Sequence, residues 1–444
     1  MKVAIIGAGP RGLWAAEALM ERARQRGAQI DLTVFSDAPR TELSAPGAFG
    51  ESVPEQWILN APKTIVETQL GPLDPDNKLD GMFPPRRRVG EHLKASWDAL
   101  EKHLPPRCTV DFRFESIDTL DPVDGGVEVA GETFAEAIVT TGHAHDWPGS
   151  LAHEDLGDLR VIAPVYPATN LDEVGDDDVA LVRGAALTFI DVVRYVRAKV
   201  FYPVTRSGRF MEVKAYLDDD QAREAKPAIE AASRAILDCE SLPALKSILV
   251  DCTAQVLRVV DGEGTPDDIR AVLDGEDFTG DPVAELRASV AAASGETPWT
   301  TAIAAGVVFR ETYDALIERV SFGGRETLGR ADFDAFTSTM ERVAFGPPVE
   351  SASEMLALID EGRIRTDAFD RGNDDLRDVA NDVGATVVID AVNAPAGVVE
   401  GTLVGTLVER GIGKRYDDTN ALHVERDGTL VGQQHIAAAG RMNE

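Results

Sequence analysis

The chain has 444 residues, 44% of them hydrophobic, which is room for two or three domains with a core each. Aspartate and glutamate outnumber lysine and arginine by 76 to 44, and the formal charge of -32 argues against a nucleic-acid or anionic-membrane partner, whose phosphates need basic patches. No apolar run is long enough to span a bilayer and the chain opens on a strand pattern with no basic leader, so a cytoplasmic protein is expected.

Lys2 to Ile6 is a short, nearly continuous apolar run, as a parallel strand shows when both faces are buried. Gly7-Ala8-Gly9-Pro10-Arg11-Gly12 follows at once, then Leu13, Ala16, Leu19, Met20 and Ala23 at helical spacing, and a second strand from Gln29 to Phe35. In such a unit Gly7 permits the tight turn, Gly9 lets the backbone approach a pyrophosphate, and Gly12 lets helix and strand pack closely. The helix start at Pro10 and Arg11 offers free N–H groups, those from Arg11 onward, to the phosphates. The acid that reads the ribose is not directly after Phe35: Ser36 stands there and Asp37 follows. Either could bond the ribose, or Asp37 could cap a turn.

Ala38 to Pro72 is loop-rich, and its aromatics Phe49 and Trp57, with Asn60 nearby, suggest a loop packed on a flat group such as a flavin. Arg86, Arg87 and Arg88 form a local basic cluster ahead of a helix carrying His92, Leu93, Trp97 and Leu100. They could neutralise phosphates or pair with surface carboxylates. Short strands are expected over 109–114, 117–120 and 126–129. Ile138-Val139 then leads into the small-residue turn Thr140-Thr141-Gly142, and His143 and His145 follow beside it.

A second strand-turn-helix begins at Val179, with Gly184-Ala185-Ala186-Leu187-Thr188 as its turn, Phe189 to Val196 as its helix and Phe201 to Thr205 as its next strand. Ala186 replaces the second glycine of the fingerprint. Arg206 and Arg209 stand where the ribose-reading group belongs, and arginine there suits a 2′-phosphate. From Asp218 to about Val383 the pattern is acidic and helical and shows no motif. Strands return at Ala385 to Ala391 and His435 to Arg441, the latter closing on Gly440. Cys108, Cys239 and Cys252 form no C-x-x-C pair, so no disulfide framework, zinc site or redox dithiol is expected.

Taken together, Val3 to Gly12, Trp57 to Asn60, Phe83 to Gly90, Ile138 to His143 and Arg183-Gly184-x-x-Leu187-Thr188-x-x-Asp191 resemble the bacterial FAD/NAD(P)-binding protein family, distantly akin to flavin-dependent N-hydroxylases. The resemblance implies an α/β fold in which a Rossmann-like FAD-binding domain, 1–165 and 384–444, is completed by the C-terminus. It also implies a second Rossmann-like NAD(P)-type unit at 166–217 and a helical insertion at 218–383. FAD would lie at Gly7, Gly9 and Gly12 with the Thr141-Gly142 turn beside it, and NAD(P)H near Gly184, Thr188 and Arg206. The candidate cofactor-binding set is Gly7, Gly9, Pro10, Arg11, Gly12, Ser36, Asp37, Asn60, Arg86, Thr141, Gly142, Gly184, Thr188, Arg206 and Gly440, with no metal ligand and no catalytic side chain named. The chain ends at Glu444 straight after the closing strand, where related two-dinucleotide flavoproteins place a flavin-supporting helix, so a truncated end is one expectation.

Two functions follow. The first is an FAD-dependent oxidoreductase using NAD(P)H on a small molecule, with monooxygenation as one outcome. The second is a nucleotide-binding module with a regulatory or scaffold role and no redox turnover, which Ala186 favours.

Overall fold

Two parallel sheets, each built on one strand-glycine-helix turn, carry the molecule. The computed structural model describes residues 1–40, 46–142, 147–417 and 419–443. In the first domain β1 (Lys2–Ile6) runs into α1 (Pro10–Arg26) and β2 (Asp31–Ser36). A short α2 (Pro46–Phe49) and the two-residue strands β3 (Glu67–Thr68) and β4 (Gly71–Pro72) precede α3 (Arg86–Lys102) and β5 (Thr109–Phe114). An antiparallel meander of β6 (Asp121–Val123), β7 (Gly126–Val129) and β8 (Glu132–Phe134) leads to β9 (Glu136–Val139).

The second sheet takes β10 (Arg160–Ile162), β11 (Val179–Arg183) followed by α4 (Leu187–Tyr195), and β12 (Val200–Val204). Ten helices follow: α5 (Asp219–Leu237), α6 (Leu242–Val259), α7 (Pro266–Asp274), α8 (Pro282–Ala293), α9 (Thr301–Glu311), α10 (Tyr313–Val320), α11 (Gly324–Leu328), α12 (Arg330–Ala344), α13 (Val349–Asp360) and α14 (Leu376–Val383). The chain closes with β13 (Val387–Asp390), α15 (Leu403–Glu409) and β14 (Ile436–Ala438).

The strand order of the first sheet is β14-β9-β1-β2-β5, every pair parallel. Successive side chains of β1 point to opposite faces, and both faces are covered, which is why the run is apolar after Lys2. Val3 and Ile5 pack with Leu13 and Met20 of α1 and with Leu93 and Trp97 of α3. Ala4 and Ile6 pack with the meander and with Leu407 of α15. Helix α1 stops at Gly27, which takes the left-handed conformation, with Arg24 and Arg26 in its last turn.

The second sheet has the order β10-β13-β11-β12, again parallel. This corrects two domain boundaries. Strand β13 was expected to complete the first domain, yet it hydrogen-bonds β10 and β11, with Val388 opposite Leu181. Strand β10 likewise leaves the first domain for the second. Residues 349–383 also leave the helical insertion: Met355, Ile364 and Phe369 pack in the core under the second sheet, and Leu376, Val379 and Ala380 cover its other face. The helical body proper is the cluster formed by α5 to α7 and α9 to α12. A helix expected from Thr300 to Arg319 is two helices, divided at Thr312, whose buried hydroxyl bonds back to Val308 O. The strand expected over 117–120 starts instead at Asp121, set by the meander's first turn at Gly125.

Candidate dinucleotide sites

In both sheets the strand that carries the glycine turn has later strands added on both of its sides, β2 and β9 for β1, β12 and β13 for β11, so the order across the sheet reverses there. Such a reversal opens a crevice beyond the strand ends, where α/β sheets bind ligands. The turn fills the mouth of that crevice in both.

At the first mouth Gly7 has φ +108° and donates its N–H to Phe35 O at 2.9 Å. A Cβ on Gly7 would stand 2.8 Å from Thr140 O, and one on Gly12 only 2.0 Å from Gly7 O, so the turn closes on itself as the fingerprint requires. Thr140 Oγ1 donates to both Ile6 O and Gly7 O, at 3.1 and 2.8 Å. Trp97 Nε1 donates to Ala8 O at 3.1 Å. Helix α1 starts at Pro10 with no side-chain cap on Gly9 and no acid in its first turn, so its positive end faces the crevice unneutralised. A pyrophosphate fits that end.

Around this mouth Ser36 is buried and its Oγ accepts from Ala38 N–H at 3.1 Å, a local turn, which leaves the exposed Asp37 as the group turned outward. Thr141 and Gly142 follow Thr140 at the crevice, and a Cβ on Gly142 would meet nothing, so the protein itself does not demand a glycine there. Gly440, at φ +142°, brings the C-terminal turn against the alkyl part of Arg11, with a Cβ contact at 3.3 Å. His143 and His145 lie outside the described residues.

The second mouth repeats the first. Gly184 has φ +97° and donates to Val204 O at 2.9 Å, as Gly7 does to Phe35 O. Ala391 N–H donates to Arg183 O at 2.9 Å, as Thr140 N–H does to Ile6 O at 2.8 Å. Thr188 accepts from Asn393 Nδ2 at 3.1 Å, and Asp390 accepts from Ser150 N–H at 2.6 Å and Ser150 Oγ at 2.8 Å. Helix α4 begins after Ala186 with no side-chain cap and no acid in its first turn. Two positions differ: Ala186 stands where the first unit has Gly9, and the third fingerprint position holds Phe189, fully buried, where the first unit has Gly12. Arg206 is exposed beyond the end of β12, in the place of Asp37.

Other expected residues take different places. Arg86 is paired within the protein. Its Nη1 lies 2.8 Å from Asp191 Oδ2 on α4 and its Nε donates to Ile58 O at 3.1 Å, beneath the surface. Tyr166 OH donates to the same carboxylate, and Trp57 Nε1 donates to Asp191 O at 2.9 Å. Burial pushes the Asp191 carboxyl up, and it works against the Arg86 guanidinium too, where Asp191 and Tyr166 outweigh it and hold the group above its ordinary value. Trp57 is fully buried against the second sheet's core rather than against a cofactor. Arg87 and Arg88 pair with Glu55 and Glu91. Asn60 ties the first domain to the helical body through Nδ2 to Phe345 O at 3.0 Å. Arg209 is buried with Asp277 and Glu285, at 2.7 and 3.2 Å. Thr140, Trp97 and the 390–393 segment build the two mouths, whereas the sequence reading placed the first in a turn, the second on a helix and residues 390 and 391 in a strand without naming them as site residues. The run Val388-Ile389-Asp390-Ala391 ends as Ile138-Val139-Thr140-Thr141 does, in small or polar residues, and that likeness was the available signal.

Residues 4–144 match the family described as FAD-NAD(P)-binding. No curated protein matches the chain. Among solved structures it is similar to Tmm from Pelagibacter sp. strain HTCC7211, at 18% identity over 46% of this chain and 51% of that one, with a TM-score of 0.32. It is similar to cyclohexanone monooxygenase from Rhodococcus sp. Phi1 bound to NADP+, at 14% identity over 53% and 44%, with a TM-score of 0.34. The reduced form of the ornithine hydroxylase PvdA from Pseudomonas aeruginosa aligns at 14% identity over 99% of this chain and 91% of that one, with a TM-score of 0.45. The chain thus spans about half of the first two.

Proposed function

We propose that this chain is an FAD-dependent oxidoreductase that takes electrons from NAD(P)H and acts, as a monooxygenase, on a small molecule. The observation that carries the reading is the repetition of one mouth in two sheets, with Gly7 and Gly184 in the same conformation and bonded in the same way. Two dinucleotides on one chain is the arrangement such a repetition serves. The first domain's family supports FAD there.

When bound, FAD supplies the redox chemistry and NAD(P)H the hydride. The chain's own work is positional. The α1 and α4 N-termini would hold the two pyrophosphates, Asp37 would take the ribose of the first nucleotide, and Arg206 would take the 2′-phosphate of the second. The buried contact of Arg86 and Tyr166 with Asp191 fixes one mouth relative to the other. Among the described residues no group of metal-ligating side chains is assembled and no helix is long and apolar enough to cross a membrane. The three cysteines are free and buried, which suits a reducing cytoplasm.

The alternative, a nucleotide-binding module without turnover, is favoured by Ala186, whose methyl stands at the second mouth where the first has Gly9, and by Phe189, buried in the sheet's core where the first unit has Gly12. Absorbance of the purified protein followed by anaerobic titration with NADPH separates the two. Flavin absorbance that NADPH bleaches, and substrate-coupled oxygen uptake on readmitting air, supports the enzyme. Bound flavin that NADPH leaves oxidised supports the module.

A further inference from the structure

Lys214 and Arg310 are two cations brought together where the first domain, the second sheet and the helical body meet. Lys214 is 6% exposed, on the segment between β12 and α5, and its Nζ donates to Asn60 O at 2.6 Å. Arg310, at the end of α9, donates to Ala344 O at 2.7 Å and to Ala215 O, and lies over the ring of Tyr216 at 5.1 Å. Among the described residues neither forms an ion pair; every partner is a neutral carbonyl or a ring, and Glu311 acts on Arg310 only through space.

Buried charges in proteins are paired or they serve a ligand, because carbonyl dipoles do not replace a counter-ion. Arg310 cannot shed its proton. Burial, with Arg310 adding repulsion, pushes the Lys214 ammonium down to about 7, which measures how poorly the site compensates it. An unanswered acceptor adjoins them: among the described residues Asn60 Oδ1 is buried with no hydrogen-bond partner, on the residue whose backbone carbonyl Lys214 holds. An acceptor beside two cations describes a ligand with an anionic group next to a donor.

We propose that Lys214, Arg310 and Asn60 form the receiving site for a small acid, its carboxylate taken by the two cations and an adjacent O–H or N–H taken by Asn60 Oδ1. That this acid is the substrate rests on the oxidoreductase reading; the binding itself does not.

The test is thermal unfolding of the full, FAD-loaded chain at constant ionic strength with lactate, propionate or lactamide as probe. Lactate should raise Tm saturably, by about 2–4 °C, propionate by less for want of the donor, and the neutral lactamide not at all. Lys214→Met should lose the lactate response and Lys214→Arg should keep it. Equal responses to lactate and lactamide, or an undiminished response in Lys214→Met, overturns the site. Where Lys214→Met does not fold, the wild-type comparison of lactate with lactamide decides alone. If NADP+ abolishes the lactate response, the anion belongs to a cofactor phosphate and the substrate assignment falls. If NADPH fails to reduce the flavin while the lactate response stands, the oxidoreductase reading has failed and the site has not.

Discussion

Arg86 Nη1 and Asp191 Oδ2 stand 2.8 Å apart with side chains only 15% and 6% exposed, and this contact joins the start of α3 in the first domain to α4 of the second sheet. Removing one member strands a buried charge, at a cost of about 3–5 kcal/mol, whereas replacing both by apolar groups is far milder. Asp191→Leu and Arg86→Leu alone should each lower the urea midpoint strongly, and the double variant should recover most of the loss. Additive losses would show that the two side chains do not act as a pair.

Gly9 gives the clean probe of the first mouth. Its φ of −68° and ψ of −174° are open to any residue, so a side chain there is not strained by the backbone. Gly9→Val should fold and lose flavin, read as the ratio of flavin to protein absorbance. Gly12→Ala, by contrast, puts a Cβ 2.0 Å from Gly7 O and should disturb the turn itself. A Gly9→Val protein with full flavin would move the cofactor elsewhere.

The stability of the Lys214 region should rise with pH. The ammonium's pKa is about 7 when folded and near the ordinary lysine value when unfolded, so between the two the unfolded chain binds the extra proton. The penalty of burying the charged form is therefore full below about pH 7 and fades as pH rises toward the ordinary range. Each unit of depression is worth about 1.4 kcal/mol. The stability difference between wild type and Lys214→Met should shift in favour of wild type from pH 7 to pH 9, with other titrations cancelling. A flat difference would mean that Lys214 is solvated.

How much of this was readable before folding depends on distance along the chain. The first mouth was legible because Gly7, Gly9, Gly12 and the flanking strands lie within one contiguous stretch whose period changes mark each element. The run around Val388 reads as a strand equally well, but its apolar pattern cannot say which sheet it joins, and only pairing with Leu181 decides that. The pairing of Arg86 with Asp191 was hidden for the same reason. Asp191 is over a hundred residues away, and an arginine in an acidic chain looks alike whether it waits for a phosphate or a carboxylate. Phe189 was legible, by counting five residues on from Gly184 as Gly12 follows Gly7.

The choice between NADPH and NADH turns on which arginine is free. Arg206 and Arg209 both stand past β12, but Arg209 is held in the bidentate contact with Asp277 and by Glu285, so its charge is already answered. Arg206 is exposed at the position that Asp37 holds in the first unit, and there a guanidinium suits a 2′-phosphate where a carboxylate suits a free hydroxyl. Losing that charge-assisted contact costs about 1.5–3 kcal/mol. Arg206→Ala should thus weaken NADPH by roughly one to two decades and leave NADH unchanged. Arg209→Ala should instead lower the unfolding midpoint, because it removes the cation paired with Glu285 and leaves Asp277 only Arg342, at 3.7 Å. The measurement is the dependence of anaerobic flavin reduction on each nucleotide's concentration in wild type and both variants. Equal use of NADH and NADPH by the wild type removes Arg206 from the site, and a loss of NADPH preference confined to Arg209→Ala would exchange the two roles.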